Sequence, residues 1–218
     1  MDEYTLNEIE ARVLGALLEK EMTTPEYYPL TLKALTAACN QKSNREPVLE
    51  LAEAEVVRGL DGLKGKRLLL QSDASRVPRY EEIFARHHKL VNREMAVLCL
   101  LLLRGPQTVG ELRGRSERMY GFATLEETEE VLENLAEMGF LRKMARQPGQ
   151  KECRYAHLLS GEIVEPAVSA GSARPEEATL RVRAENERLA TLELEIQTLK
   201  EEVAELRQAF ADFRAQFE

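Results

Sequence analysis

Lys42 and Arg45 stand three residues apart in a polar, amide-rich stretch, Cys39-Asn40-Gln41-Lys42-Ser43-Asn44-Arg45-Glu46-Pro47-Val48. The stretch follows a short apolar helical pattern, Leu30 to Ala38, and precedes another, Val56 to Leu63. Cations and amides on a connector between two helices are what a helix-turn-helix unit offers to a nucleic-acid backbone, where they bond phosphate oxygens. A second reading stays open. Asn40, Ser43 and Asn44 can bond the neighbouring backbone and shape a long turn that binds nothing.

Cations collect at four further places. Arg76 and Arg79 flank a turn, and Arg86, Lys89 and Arg93 follow it. Arg113, Arg115 and Arg118 form a third group, and Arg142, Lys143, Arg146, Lys151 and Arg154 a fourth. These clusters read as phosphate contacts or as ordinary solvated surface. Catalytic chemistry finds no support. No Gly-rich phosphate loop occurs, and no Ser/His/Asp or Cys/His spacing that a helix would bring together. His87, His88 and His157 form no metal-binding spacing, and Cys39, Cys99 and Cys153 form no CxxC pair. The expectation is a non-enzymatic protein with no cofactor, no metal and three reduced thiols.

The elements that must position these residues follow from hydrophobic period. Residues 6–20 place Leu6, Ile9, Val13, Leu14, Leu17 and Leu18 on one helical face. Pro25 and Pro29 stop that helix. Thr31 caps a second helix with Leu32, Leu35 and Ala38 inward. A third runs from about Glu53 to Gly65 with Val56, Val57, Leu60 and Leu63 inward. Leu68 to Gln71 and Arg79 to Glu81 read as two strands around a turn. Three helices followed by a hairpin is the winged-helix order, with Arg76-Val77-Pro78-Arg79 at the wing tip.

The pattern then repeats. Leu90, Glu94, Val97, Leu98, Leu101 and Leu102 match Leu6, Glu10, Val13, Leu14, Leu17 and Leu18 at an offset of 84. Thr108, Val109 and Leu112 match Thr31, Leu32 and Leu35 at 77, and Leu132, Leu135, Phe140 and Leu141 match Leu60, Leu63, Leu68 and Leu69 at 72. The offset changes only between helices, as it does when loops vary and elements are kept. Thr124-Leu125-Glu126-Glu127 reads as a capping box for the second repeat's third helix, whereas the first repeat has Ala52 at that cap. Phe140 to Arg146 and Glu152 to His157 flank Pro148-Gly149 as a second wing. The fold expected is mainly α with small β-hairpins (α+β): winged-helix domains over 1–84 and 85–160, a flexible linker over 161–179, and a coiled-coil helix over 180–218.

The last segment has a period of 3.5. Leu189, Ile196, Val203 and Phe210 occupy position a, and Leu192, Leu199, Leu206 and Phe213 position d. The pairs Arg188 with Glu193, Glu195 with Lys200, and Glu202 with Arg207 are opposite in sign across a parallel dimer. These eight apolar residues are the expected homodimer seam. A helix folded back on its own domains is the alternative.

Charge narrows the binding surfaces. The 218-residue chain carries a net charge of −8, a poor balance for sequence-blind binding to phosphates. Residues 1–84 hold eleven cations and fifteen acids, 85–160 twelve and ten, and 161–218 seven and thirteen, so much of the acidity lies in the tail. The second repeat's third helix carries Glu126, Glu127, Glu129, Glu130, Glu133 and Glu137 and no cation. Phosphates would repel it from a groove. The first repeat's third helix is mixed and could serve. The acidic N-terminus does not read as a signal peptide. The longest apolar run, Ala96 to Leu103, is far short of the ~20 residues that span a bilayer. A cytoplasmic protein without membrane contact is expected.

Residues Leu6 to Gly15, Thr24-Pro25-Glu26-Tyr27-Tyr28-Pro29-Leu30 and Ala38 to Pro47 resemble the YceH-like family of uncharacterised bacterial proteins. The resemblance covers about residues 4–160, and the segment from Asn40 to Pro47 is its most specific part. It implies a tandem winged-helix fold and assigns no activity. Double-stranded DNA is the leading partner expected, with Lys42, Arg45, Arg58, Arg76, Arg79, Arg142, Arg146 and Lys151 as the contacts. The competing expectation is a protein–protein adaptor that docks an unidentified protein on its winged-helix surfaces.

Overall fold

The computed structural model describes residues 5–73, 76–146 and 152–161. They form a mostly helical α+β arrangement with two small antiparallel sheets. The expected linker beyond residue 161 and the coiled coil, with its seam from Leu189 to Phe213, lie outside the described residues, as do Lys151 and Pro148-Gly149.

In chain order the elements are α1 (Glu8–Thr23), β1 (Leu30–Thr31), α2 (Leu32–Cys39), α3 (Glu53–Gly65), β2 (Leu69–Ser72), β3 (Arg79–Glu82), α4 (Phe84–His88), α5 (Asn92–Arg104), α6 (Val109–Ser116), α7 (Leu125–Glu137), β4 (Leu141–Lys143) and β5 (Tyr155–His157). The order helix-helix-helix-hairpin occurs twice. Each occurrence also has a short strand segment before its second helix. In the first, β1 joins the sheet in the order β1-β3-β2, with Leu30 opposite Tyr80. In the second, Gln107 bridges Tyr155 through two backbone bonds of 3.0 and 2.7 Å. Gln107 is 77 residues from Leu30, the offset that relates the second helices.

Local chemistry sets the helix ends. Asn7 accepts from the Glu10 N–H at 2.9 Å, and Glu10 accepts from the Asn7 N–H at 2.8 Å, so α1 opens on a reciprocal capping box. Thr31 accepts from the Ala34 N–H at the start of α2. Ala52 offers no side-chain acceptor, and only the return bond, from the Ala52 N–H to the Glu55 carboxylate, is made, so the start of α3 has half of a box. At α7, Thr124 accepts from the Glu127 N–H, but the Glu127 carboxylate reaches Ala123 N–H, one residue before the cap.

Helix α1 is not one-faced. Every residue from Glu10 to Glu19 is buried, because α2 and α3 cover one side and α5 the other. Helix α5 is likewise buried from Met95 to Leu103. Gly15 lets the two meet: a Cβ there would stand 2.9 Å from Leu103 Cγ and 3.1 Å from Leu102 Cβ. The Cys99 thiol donates to the Gly15 carbonyl at 3.4 Å. Gly15 and Cys99 are themselves 84 residues apart. Equivalent positions of the repeat therefore touch, as at a two-fold axis. The core is one apolar cluster running through both halves, each fully buried leucine contributing about 1.5–3 kcal/mol.

The expected domain boundary, between residues 84 and 85, falls inside α4. Phe84 stacks edge-on against Phe140 at 5.4 Å, and His88 does so at 4.9 Å. The halves are thus joined by a helix whose rings pack on the start of β4.

Candidate nucleic-acid interface

Arg45 is the residue whose role changes most. It is 4% exposed. Its guanidinium grips Glu19 with bonds of 3.2 and 2.6 Å and donates twice to the Ala38 carbonyl, at 3.1 and 2.8 Å. A guanidinium spent on buried acceptors has no donors left for phosphate, so the expectation of Arg45 as a phosphate anchor is corrected. Burial pushes the Glu19 carboxyl up. The hydrogen bond and charge of Arg45, helped by Lys20, outweigh this and hold it below its ordinary range.

The rest of the 40–47 stretch is tied down similarly. The Asn40 side chain makes two bonds of 2.8 Å with the Leu51 backbone. Asn44, at φ 58°, accepts from Arg104 at 3.4 Å, and the Glu46 N–H donates to the Leu103 carbonyl at 2.9 Å. Arg12, buried on α1, donates to the Cys39 and Pro47 carbonyls at 3.2 and 2.6 Å. Burial, then the charge of Arg45, lowers the pKa of Arg12, and burial pushes the Cys39 thiol up to about 12. The stretch wedges the two halves together. Lys42 and Ser43 remain exposed at its tip. Arg12 and Arg104 carry no sequence signal beyond standing as polar residues in, or at the end of, an apolar helix.

The other expected contacts are exposed. The Arg58 side chain is 72% exposed on α3, with only a loose 3.7 Å pair to Glu55. Around it α3 presents Ala54, Val57, Asp61 and Lys64. Lys64 reaches Gln71 on β2 at 3.4 Å, which ties the exposed end of α3 to the hairpin. Arg76 and Arg79 are exposed on that hairpin, and Arg79 also donates to the Pro29 carbonyl at 2.7 Å. Arg142 and Arg146 are exposed on and after β4. Not every cation of the third cluster is available: Arg113 holds the Phe122 and Ala123 carbonyls at 3.4 and 2.9 Å.

The matching helix of the second half differs. Glu126, Glu129, Glu130, Glu133 and Glu137 lie on α7, and no cation shares the helix. Arg93 on α5 comes within 3.8 Å of Glu130. The outward face of α3 mixes Arg58 and Lys64 with Glu53 and Asp61, whereas the charged residues on that of α7 are all acidic.

By fold and surface this is a mostly helical protein with a repeated helix-and-hairpin unit, with exposed arginines on the first hairpin and an acidic α7. Residues 6–150 match the family described as "Protein of unknown function, DUF480". The chain belongs to that family. It is 57% identical over 221 residues to a UPF0502 protein of Geobacter sulfurreducens, covering 99% of this chain and 100% of the relative. A UPF0502 protein of Geotalea uraniireducens is 54% identical with the same coverage, and one of Photobacterium profundum 46% identical over 91% of this chain and 93% of its own. Among the described residues no helix is long and apolar enough to cross a membrane.

Proposed function

We propose that the chain is a non-enzymatic tandem winged-helix protein that binds duplex DNA through its first half and acts as a regulator. The observation that carries this is the first half's surface. Arg58 is exposed on α3 and Arg76 and Arg79 on the β2–β3 hairpin, which Lys64 ties to the end of α3 through Gln71. In winged-helix readers the third helix enters the major groove and the hairpin touches backbone, so these cations are of the right type in the right elements. The three-stranded sheet and its counterpart at Gln107 and Tyr155 support the winged-helix reading of both halves. Residues 182–217 dimerise the chain as a parallel coiled coil, which would present two first halves to one duplex. A titration of a random-sequence duplex against rising salt tests the reading, because phosphate contacts weaken in proportion to the counterions they release.

The carboxylates of α7 favour a second role for the other half. They would be repelled by phosphate and suit a basic protein surface. The adaptor reading therefore applies best to the second half, and a basic partner recovered in stoichiometric amount with the full chain would support it.

A further inference from the structure

A cleft of about 420 Å³ opens where the end of α1, the tip of the 40–47 stretch and the segment after α6 converge. Lys20, Lys42, Arg115 and Arg118 line it against a single carboxylate, Glu19. That carboxylate is already matched by Arg45 at 2.6 Å. In a chain of net charge −8, this is a local excess of positive charge held between walls. Two of the four cations have other duties. Lys20 pairs with Glu19 at 3.2 Å in the last turn of α1, and Arg115 pairs with Glu111 at 3.4 Å in the last turn of α6, where cations also offset the helix dipole. Lys42 and Arg118 have neither duty, and no ion pair involves them among the described residues.

We infer that this cleft is a binding site for a small phosphorylated molecule. An ammonium and a planar guanidinium with unspent donors are the pair that recognises a phosphate group. The Ser43 hydroxyl adds a further donor beside them. The volume exceeds that of a bare phosphate and falls in the range of sites for metabolites of nucleotide size. The floor is rigid, because Arg45, Asn44 and Glu46 fasten the stretch to α1 and α5. A ligand held by both Lys42 and Arg118 bridges the two halves, so its binding is linked to their stability and orientation. The inference does not rest on DNA binding: none of Arg58, Arg76 or Arg79 lines the cleft.

The test is a titration of the full chain with pyrophosphate and, separately, with adenosine monophosphate, at constant ionic strength, read by calorimetry and by melting temperature. Saturable binding is expected, with a rise in melting temperature. The Lys42→Ala/Arg118→Ala variant is expected to melt at the same temperature without ligand and to bind at least about tenfold more weakly, while Lys33→Ala, on the exposed side of α2, binds as the parent does. Neither compound saturating by about 10 mM overturns the inference, as does equal binding by the parent and the double variant. A double variant that loses affinity for duplex DNA, in a parent that binds neither small compound, also overturns it and assigns the cleft to DNA phosphates.

Discussion

The Arg45 guanidinium lies 2.6 Å from the Glu19 carboxylate, and both are buried at the junction of the two halves. Arg45 is 26 residues from Glu19 in the chain and supplies the stretch that joins α2 to α3 with its anchor. Removing one partner of a buried pair leaves the other charge uncompensated in a poor solvent. Arg45→Ala is therefore expected to cost about 3–5 kcal/mol in urea unfolding. Lys42→Ala, three residues away but exposed, should change stability by no more than about 0.5 kcal/mol. Because Glu19 is held below the ordinary carboxylate range, its contribution is present above that range and is lost as the pH falls through it. A parent-like Arg45→Ala melt would contradict the anchoring role.

Glu82, at the end of β3, behaves in the opposite sense. Burial pushes its carboxyl up to about 8, opposed by the Ala85 N–H and reinforced by Glu21. The folded state holds a proton that the unfolded chain has released above the ordinary value of 4.5, so stability falls as the pH rises toward 8. His157, which burial pushes down to about 4 from 6.5, acts the other way and only below 6.5. Between pH 6.5 and 8 the Glu82 effect therefore stands clear of His157. Glu82→Gln, which needs no proton, is expected to flatten a decline on the order of 1 kcal/mol across that window. Urea midpoints measured at half-unit pH steps check it, and an unchanged slope in the variant rejects the assignment.

Hydrophobic period and capping chemistry read much of this fold directly. They locate α3 at the bounds observed, place the cap of α2 on Thr31, and find the repeat through offsets that change only in loops. They place the start of α1 two residues early, though Asn7 and Glu10 have the spacing of a capping box. Period alone also describes α1 as one-faced. Its polar side is buried too, because Arg12 and Glu19 find partners on the 40–47 stretch that lie far away in sequence. The same long-range pairing hides the role of Arg45. An arginine in a polar loop looks exposed until a carboxylate on another helix is known to stand beside it. The exposed cations of the candidate interface are easier to find, since Arg58, Arg76 and Arg79 lie on faces that the period leaves outside.

Gly15 and Gly110 offer a paired test of the helix junction. Both are helical glycines, and alanine is intrinsically favoured over glycine in a helix interior by about 1 kcal/mol. At Gly110 a Cβ meets nothing within 4 Å, so Gly110→Ala should stabilise by about 0.5–1 kcal/mol. At Gly15 the Cβ meets Leu102 and Leu103 at 3.1 and 2.9 Å, and Gly15→Ala should destabilise by about 1–3 kcal/mol. Thermal melts of the two variants should move in opposite directions, and a stabilised Gly15→Ala would contradict the close approach of α1 and α5.

Dimerisation is tested by mass. Deleting residues 180–218 should convert a particle of two chains into one of a single chain by light scattering. An unchanged number of chains per particle rules out the coiled-coil dimer.

DNA binding through the first half is tested most directly by fluorescence anisotropy of a labelled random duplex, with the full chain and with Arg58→Glu/Arg76→Glu/Arg79→Glu. The parent should bind at about 50 mM salt and weaken linearly on a log–log plot as salt rises. The triple variant, whose altered side chains are all on the surface, should stay folded, losing about 1 kcal/mol with the Arg79 bond to the Pro29 carbonyl, and bind far more weakly. Its salt slope should be smaller by about 0.9 for each phosphate it no longer neutralises. A parent that fails to bind at about 50 mM salt, or a folded triple variant with the parent's affinity and slope, contradicts the proposal.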